Sequence, residues 1–326
     1  MFWFQMLINV FFDKGIQWSS NRVVLPHEIG EYRLFREILR EKKNKIYNYG
    51  IYKNNSGGMA LAKQCIGNKH ALSSYWLSNE ISVYRLLWKT LNSHPEIADE
   101  FPRIHIPKLI DVVDDARGGL VLLVEYIDGR TLNKFQKKVR IEVYNQVIRY
   151  LSSVSEMISR SDLSLKRIPQ RTVWHALAIF PVILVRAILR HPLNLLFIFW
   201  ATGVYLILLP GTSFRRDTLR FSHRDIDDSN IVVSGGDVWL IDFQISAQSH
   251  LLFDVVGASL QVWKDSNVGM DFFASEYMKN LLSQKRSLRE FQVLSAYLSV
   301  YNLSLASGQD VNSVKRFFAY VMNRSL

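Results

Sequence analysis

Hydrophobic and polar positions alternate early in the chain and later follow a helical period. Lys45 to Lys53 alternates as a half-buried strand does, and Asn54–Gly58, rich in asparagine and glycine, predicts a tight turn. Met59 to Ile66 then reads as the returning strand. Leu77 to Leu91 has the apolar spacing of an amphipathic helix. The pattern predicts an antiparallel strand pair followed by a helix.

Two more strands are predicted before the pattern changes, over Ile106–Val113 and Gly119–Tyr126. After the turn residues Asp128 and Gly129, the apolar spacing is mostly helical, apart from one later strand pair. We therefore predict an α+β fold with a strand-rich first domain over 1–127 and a helical second domain over 128–326.

Composition narrows the class of protein. Of the 326 residues, 48% are hydrophobic and 21% charged, which excludes a disordered chain. Cys65 is the only cysteine, so a disulfide scaffold and a zinc site built on cysteine pairs are excluded. The net charge of +11 attracts phosphate, whether in a nucleotide, a nucleic acid or a lipid head group.

The strongest chemical signal is the segment FSHRDIDDSNIVVSGGDVWLIDFQ. Asp225 ends a His-Arg-Asp triplet, Asn230 follows five residues later, and a hairpin split by Gly235-Gly236 leads to Asp242. Phosphoryl transfer needs a carboxylate to accept a hydroxyl proton. It also needs carboxylate and amide oxygens to hold Mg²⁺ on the nucleotide phosphates. An acidic surface loop followed by an edge hairpin is the alternative.

This segment resembles the catalytic and metal-binding loops of the protein-kinase-like fold. The stretch VEYIDGRTL (124–132) and the ending IDFQ are more similar to its small-molecule branch, which includes aminoglycoside phosphotransferases and bacterial lipopolysaccharide-core sugar kinases. The resemblance spans roughly Lys45 to Val262. It implies a two-lobed fold with a small antiparallel-sheet N-lobe that binds nucleotide and a mainly helical C-lobe that carries the catalytic loop.

The resemblance also implies residue roles. Asp225 would be the catalytic base, with Asn230 and Asp242 as ligands of Mg²⁺. His223 and Arg224 would brace the catalytic loop.

Further parts of an ATP site follow from the same resemblance. Lys63 would pair with the nucleotide phosphates and be held by Glu80, although a solvated lysine and a surface glutamate are the alternatives. Backbone groups of Glu125 and Ile127 would hydrogen-bond adenine. Asp254, in an apolar run, matches an aspartate that steadies the catalytic loop.

Two departures from the kinase pattern bear on function. No G-x-G-x-x-G is present, and its expected place, Arg40–Lys45, has no glycine. Gln244 replaces the usual glycine after Asp242-Phe243. These departures leave a catalytically silent membrane scaffold as an alternative. A Ser/Thr protein kinase is disfavoured because Asp242 and Asp254 are too close for an activation segment.

An apolar and basic insertion occupies 161–220. Nine basic residues and two acids lie between Arg160 and Arg220, so about +7 of the net charge is concentrated there. Thr172–Val185 is uncharged, and so are the 24 residues of His191–Phe214, which would span about 36 Å as a helix. Three prolines are expected to break these runs: Pro181, Pro192 and Pro210.

Connectivity limits how this insertion meets a membrane. Lys63 precedes it and Asp225 follows it, yet both must act on one nucleotide, so only zero or two crossings are compatible. Two crossings would place Arg186 and Arg190 on the far side, against the positive-inside bias. We expect Thr172–Phe214 to lie on an anionic membrane surface. A two-pass hairpin and a buried subdomain or oligomer interface stay open.

These observations predict a membrane-associated, ATP-dependent phosphotransferase acting on a hydroxyl of a saccharide, a lipid-linked sugar or another small molecule. ATP and Mg²⁺ are the expected cofactors, and nucleic acid is not an expected partner. The expected location is the cytoplasmic face of a membrane, the inner membrane in a bacterium.

Overall fold

The computed structural model describes residues 25–38, 47–65, 71–115, 119–160, 168–171, 173–212, 219–250, 252–305 and 310–324. Some sequence predictions fall wholly or partly outside these residues. They concern Arg40–Lys45, Ile46, Ile66, the flanks of the insertion at 161–167 and 213–218, and Thr172.

A six-stranded antiparallel sheet forms the first part of the chain. Its order is β1-β2-β3-β4-β7-β6, with bounds β1 Glu28–Ile29, β2 Tyr32–Ile38, β3 Tyr47–Lys53, β4 Met59–Cys65, β6 Leu109–Asp115 and β7 Gly119–Glu125. The predicted turn between β3 and β4 closes where Asn54 Oδ1 accepts the Gly58 N–H at 2.6 Å. One face buries alternate apolar side chains, including Tyr52, Ala60 and Ala62.

A long helix, α1 (Ala71–Ser93), packs against this sheet and is followed by a short helix, α2 (Glu96–Glu100). The predicted helical core of α1 is confirmed, and Leu77, Ile81, Tyr84 and Leu87 are its buried stripe. Their spacing of three and four residues keeps them on one side of the helix.

A second sheet contains the predicted hairpin. Its order is β5-β11-β10-β8, with bounds β5 Ile104–His105, β8 Arg130–Thr131, β10 Ile231–Ser234 and β11 Asp237–Leu240. Gly235 (φ 62°) and Gly236 (φ 95°) make the turn in the left-handed region, where glycine has no steric penalty. Because β11 pairs with β5, residues Val232–Ser246 belong to one compact unit with the described residues up to Arg130. The sequence pattern predicts this hairpin as part of the second domain, 128–326, because the pairing of β11 with β5 is not visible from residue spacing.

The second compact unit is mainly helical. Its helices are α3 Lys137–Arg160, α4 Val173–Arg190, α5 Leu195–Leu208, α6 Leu252–Val262, α7 Ser266–Phe273, α8 Glu276–Ser283, α9 Lys285–Ser304 and α10 Val311–Met322. Helix α9 is buried along most of its length and contacts α4, α5, α6, α8 and α10. An antiparallel pair, β9 (Leu219–Ser222) and β12 (Ala247–His250), was not predicted, because four-residue strands carry little periodicity.

Pro181 does not interrupt the insertion as predicted, since α4 runs through it from Val173 to Arg190. A proline inside a helix costs about 3 kcal/mol. Here the ring is exposed, while Phe180, Ile183 and Ala187 on the same helix are buried, and their packing offsets that cost. Pro192 and Pro210 do mark helix ends, because they fall in the 3₁₀ turns Pro192–Asn194 and Leu209–Gly211.

The insertion leaves a large apolar surface exposed. Helix α5 buries only one face, with Phe197, Ile198, Ala201 and Tyr205. Large apolar side chains that stay exposed on α4, α5 and their connection form what we call the apolar face: Val185, Leu189, Leu193, Leu195, Leu196, Phe199, Trp200, Leu206 and Ile207. Pro192–Gly211 is the one stretch of the described residues long and apolar enough to cross a membrane, with a mean hydropathy of 1.9.

Candidate active site

A buried ion cluster lies in the first unit. Strand alternation places Lys63 of β4 on the face opposite Ala60 and Ala62. Its Nζ lies 2.7 Å from Glu80 Oε2 and 2.9 Å from Asp242 Oδ1, and the residue is only 5% exposed. The predicted lysine, helical glutamate and second aspartate are therefore brought together.

The charges of this cluster do not cancel, because one ammonium faces two carboxylates. Burial alone would lower the pKa of Lys63, but Glu80 and Asp242 outweigh it and hold that pKa well above its ordinary value. Burial raises the pKa of Glu80, against the effect of Lys63, and Asp242 raises it further. The site therefore keeps a protonated lysine and has excess negative charge that a cation would offset.

Helix α1 holds the Asp242 segment by contacts beyond the ion pair. Asn79 Nδ2 donates to the carbonyls of Gln244 and Ser246, each at 2.9 Å. The Tyr84 ring packs edge-on against the Phe243 ring, with centroids 5.2 Å apart. Sequence reasoning missed Asn79, whose only signal was its position next to Glu80.

Two of the predicted site residues have an unusual backbone. Arg224 has φ 69° and Asp242 has φ 62°, and they are the non-glycine residues in the left-handed region among those described. This conformation is disfavoured for side chains with a Cβ and is often found where a functional group must be aimed. The chain thus bends sharply at Arg224 in the catalytic loop and at Asp242 after β11, two residues that the sequence motif identifies.

In the second unit the catalytic loop places Asp225 beside Asn230. Asn230 Nδ2 donates to the Asp225 carbonyl and to Asp225 Oδ2, both at 2.9 Å. Asp227 shapes the loop between them, since its Oδ1 accepts the backbone N–H groups of Ser229 (2.6 Å) and Asn230 (3.2 Å). The predicted base and the predicted amide ligand are therefore neighbours on one ordered turn.

Asp254 of α6 holds the start of this loop. Its carboxylate accepts the His223 N–H at 2.8 Å and the Arg224 N–H at 2.7 Å. Burial raises the pKa of Asp254, and His223 and the two backbone donors act in the opposite direction. The His223 ring is fully buried, and its Nδ1 accepts the Asp225 N–H at 3.3 Å. The Asp254 carboxylate and the His223 ring therefore hold the backbone at the start of this loop.

A second anchor of the loop was not predicted. Asp228 accepts a hydrogen bond from the Tyr144 hydroxyl at 2.8 Å and pairs with Arg140 at 2.9 Å, both on α3. The Asp228 carbonyl also accepts the Leu132 N–H. The sequence shows two adjacent aspartates, 227 and 228, and nothing local distinguishes the one that turns inward.

The predicted adenine contacts lie at the end of β7. The Glu125 N–H already donates to the Lys108 carbonyl at 2.9 Å, so an adenine contact at this residue would use its carbonyl. Ile127 is half-buried. Just beyond, Gly129 lies so close to the second sheet that a Cβ would come within 2.7 Å of the Val233 carbonyl oxygen. This contact fixes where the chain leaves β7.

Asn230 and Asp242, the two predicted metal ligands, each offer an oxygen atom of the kind that a divalent cation binds. The described residues contain no group of three or more His, Cys, Asp or Glu side chains that could hold a metal. Magnesium in nucleotide sites commonly uses only one or two protein ligands. The Asn230 amide turns its donors to Asp225 and so offers Oδ1, and Asp242 keeps its second oxygen beyond the one that contacts Lys63.

Comparisons with known proteins show the family to which the chain belongs. Residues 95–291, more than half of the chain, match the phosphotransferase enzyme family. No curated protein matches the chain.

Three solved structures share the fold. The spectinomycin phosphotransferase APH(9)-Ia bound to AMP has a TM-score of 0.56 at 12% identity, with 90% of this chain and 91% of that one covered. An aminoglycoside phosphotransferase from Alicyclobacillus acidocaldarius has a TM-score of 0.54 at 12% identity, with 93% of this chain and 94% of that one covered. The amicoumacin kinase hAmiN with AMP-PNP and Ca²⁺ has a TM-score of 0.51 at 11% identity, with 96% of this chain and 94% of that one covered.

These findings confirm a kinase-like fold with an antiparallel-sheet N-terminal part and a helical C-terminal part. Kinases of this family use ATP and a divalent metal ion. The chain belongs to the phosphotransferase enzyme family and is a kinase of the small-molecule branch of the protein-kinase-like fold.

Proposed function

We propose that the protein is a membrane-associated kinase that transfers the γ-phosphoryl group of ATP to a hydroxyl of a saccharide or lipid-linked acceptor. The observation that carries the phosphotransfer part is the buried Lys63, held at 2.7 Å by Glu80 and at 2.9 Å by Asp242. An isolated buried cluster of this kind is costly, and it is expected where phosphate charge must be met.

The reaction assigns one task to each group. Asp225 accepts the proton of the acceptor hydroxyl as its oxygen bonds to the γ-phosphorus. The bond from that phosphorus to the β–γ bridging oxygen breaks, and ADP leaves. Lys63 offsets charge on the phosphates. A divalent metal, held by Asn230 and Asp242 when bound, would supply further positive charge there.

Nucleotide titration tests this function against the catalytically silent scaffold. The protein is expected to bind ATP far better with Mg²⁺ than with EDTA, and Asp242→Ala should remove most of that metal dependence because it removes a ligand. Isothermal titration calorimetry measures both. Asp99→Ala, at an exposed aspartate of α2, is the matched control. Equal ATP binding with and without Mg²⁺ in the unchanged protein would support the scaffold.

Membrane association is supported by the apolar face. Leu193 is 97% exposed, Leu196 90% and Ile207 74%, which is unusual for adjoining large apolar residues on a protein in water. Only 28% of the most apolar window of Pro192–Gly211 is buried, whereas a core helix would be mostly buried. We place this face in the cytoplasmic leaflet of a bacterial inner membrane.

An interfacial position suits the two helices better than a two-pass hairpin. Pro192–Gly211 is long enough to cross a membrane only if the 3₁₀ turns at its two ends are included. The α-helix between them, α5, has 14 residues, about 21 Å, which is shorter than the roughly 30 Å hydrocarbon core. Both α4 and α5 also pack along α9, the buried central helix of the second unit. A helix held on one side by such a core can bury its other side in a leaflet without crossing it.

Removing part of the apolar face is expected to release the protein from membranes. The triple variant Leu193→Gln, Leu196→Gln, Ile207→Gln should weaken binding at least about 100-fold, because each buried side chain contributes about 1.5–3 kcal/mol. Co-sedimentation with vesicles of phosphatidylcholine and phosphatidylglycerol measures the loss of membrane binding.

The control for this prediction is Met270→Gln, at an exposed apolar residue of α7. Thermal stability should stay nearly unchanged in both variants, since all four positions are exposed. Unaltered sedimentation of the triple variant would contradict the membrane role. A triple variant that instead changes from oligomer to monomer in size-exclusion chromatography would assign the face to an oligomer interface.

A further inference from the structure

The ammonium of Lys63 meets an aromatic ring as well as two carboxylates. Its Nζ lies over the Tyr47 ring, 4.7 Å from the ring centroid, and Tyr47 is 7% exposed. A cation at this distance from the face of a ring is attracted by the negative charge of the π electrons. Tyr47 is therefore part of the immediate surroundings of the lysine that meets the phosphates.

Strand register accounts for this contact. In the pairing of β3 with β4, Tyr49 stands opposite Lys63, and Tyr47 is two residues from Tyr49 along β3. Directly opposed residues share a face of a sheet, so Tyr47 is a diagonal neighbour of Lys63, within reach of a ring and a long side chain. This face is the opposite one from the apolar core of the sheet.

A second aromatic contact supports the position of the ring. The Tyr47 and Tyr49 rings meet edge-on, with centroids 6.4 Å apart and an angle of 74° between them. Such edge-on packing is a favoured arrangement of aromatic pairs. Burial raises the pKa of the Tyr47 hydroxyl, against the effect of Lys63, so the hydroxyl is neutral at physiological pH. The ring thus attracts the ammonium without cancelling its charge.

A ring and a carboxylate hold an ammonium in different ways. Glu80 and Asp242 each accept one N–H of Lys63, at 2.7 and 2.9 Å. The third donor has Gln244 Oε1 at 3.5 Å, a weak contact that a phosphate oxygen can replace. Because the face of a ring occupies no N–H donor, Tyr47 can hold Lys63 and leave this donor to a phosphate.

We propose that Tyr47 is a positioning residue for nucleotide binding, whose ring holds the Lys63 ammonium in place while leaving it a donor for phosphate. This inference rests on the proposed function. Tyr47 lies two residues after Lys45, just past the stretch Arg40–Lys45 in which no glycine-rich motif is present. Asp242 would share its charge with a metal when one is bound, so the contact with the ring then becomes more important for Lys63.

Binding of AMP-PNP in the presence of Mg²⁺, measured by calorimetry, tests Tyr47. Tyr47→Leu is expected to weaken this binding about 3- to 30-fold, because one cation–ring contact is lost at a buried site. Tyr47→Phe keeps the ring and should restore most of that affinity. Tyr32→Leu is the matched control, at a half-buried tyrosine of β2 that packs against the apolar core, and it should have no effect on nucleotide affinity.

Fluorinated rings separate the electrostatic contribution of Tyr47 from its packing. Phenylalanine with one, two or three ring fluorines has nearly the same shape, but each fluorine withdraws electron density and weakens the attraction of a cation. With these amino acids at position 47, the affinity for AMP-PNP is expected to fall stepwise while thermal stability stays nearly constant. A purely structural role of the ring would give no such trend.

The outcomes separate this inference from the proposed function. If the unchanged protein binds AMP-PNP with Mg²⁺ and its affinity does not follow ring fluorination, Tyr47 does not position Lys63 and the kinase function stands. The same holds if a folded Tyr47→Leu variant binds equally well, and if that variant does not fold, the fluorine series alone decides. If the unchanged protein does not bind AMP-PNP, the proposed function fails and the inference fails with it.

Discussion

Replacing Asp225 with asparagine is expected to lower turnover by about 10²- to 10⁴-fold, the usual contribution of a positioned general base. The asparagine can no longer accept the hydroxyl proton. Its Oδ1 can still accept the hydrogen bond that Asn230 Nδ2 makes to Asp225 Oδ2 at 2.9 Å, so the loop should keep its shape. A coupled assay for ADP measures the loss of turnover. The KM for ATP is expected to stay unchanged.

The matched control is Asp99→Asn, the same change at an exposed aspartate of α2. It should leave turnover unaltered. Asp225→Asn with full turnover would contradict the role of Asp225. A variant with low turnover and also a large loss of ATP affinity would show that Asp225 acts in nucleotide binding instead.

Replacing Lys63 with methionine is expected to cost about 3–5 kcal/mol in the free energy of unfolding, in addition to abolishing phosphate transfer. The change leaves Glu80, which is 3% exposed, without its partner and next to a second carboxylate. Unfolding in urea followed by circular dichroism gives the stability, and ADP production gives the activity. Lys53→Met, on the neighbouring strand and exposed, is the control.

A double variant separates the two effects of Lys63. Combining Lys63→Met with Glu80→Gln should recover part of the lost stability, since the buried unpaired charge is then gone, but it should recover no activity. If the single and double variants are equally unstable, the ion pair is not the source of the stability of this region.

Much of the candidate site could be predicted because its chemistry is local in sequence. Asp225 and Asn230 are five residues apart on one loop, and the structure shows them hydrogen-bonded to each other. Lys63 and Glu80 could be paired because the family resemblance implies a strand lysine held by a helical glutamate, and the pattern predicts a strand at Lys63 and a helix at Glu80. The length of β4 and the helical period of α1 could both be predicted from the pattern of apolar and polar residues.

Other parts depend on contacts that no local pattern contains. Asn79 donates to carbonyls about 165 residues away, and Asp228 meets Tyr144 and Arg140 across more than 80 residues. Polar side chains next to a motif are common, and only packing selects the ones that turn inward. The prediction for Pro181 was wrong for the same reason, because burial of its helix against α9 outweighed the local preference of proline.

By itself, the sequence determined the order of the longer elements around the site, the family resemblance and the identity of the groups that can perform phosphoryl transfer. These depend on residue type and short spacing. The tertiary structure decided that Asp242 pairs directly with Lys63 across 179 positions, and that Asn79 and Asp228 are the polar side chains that turn inward to hold the two loops. Such pairings arise from burial and strand register, which depend on the whole chain, so residue spacing does not contain them.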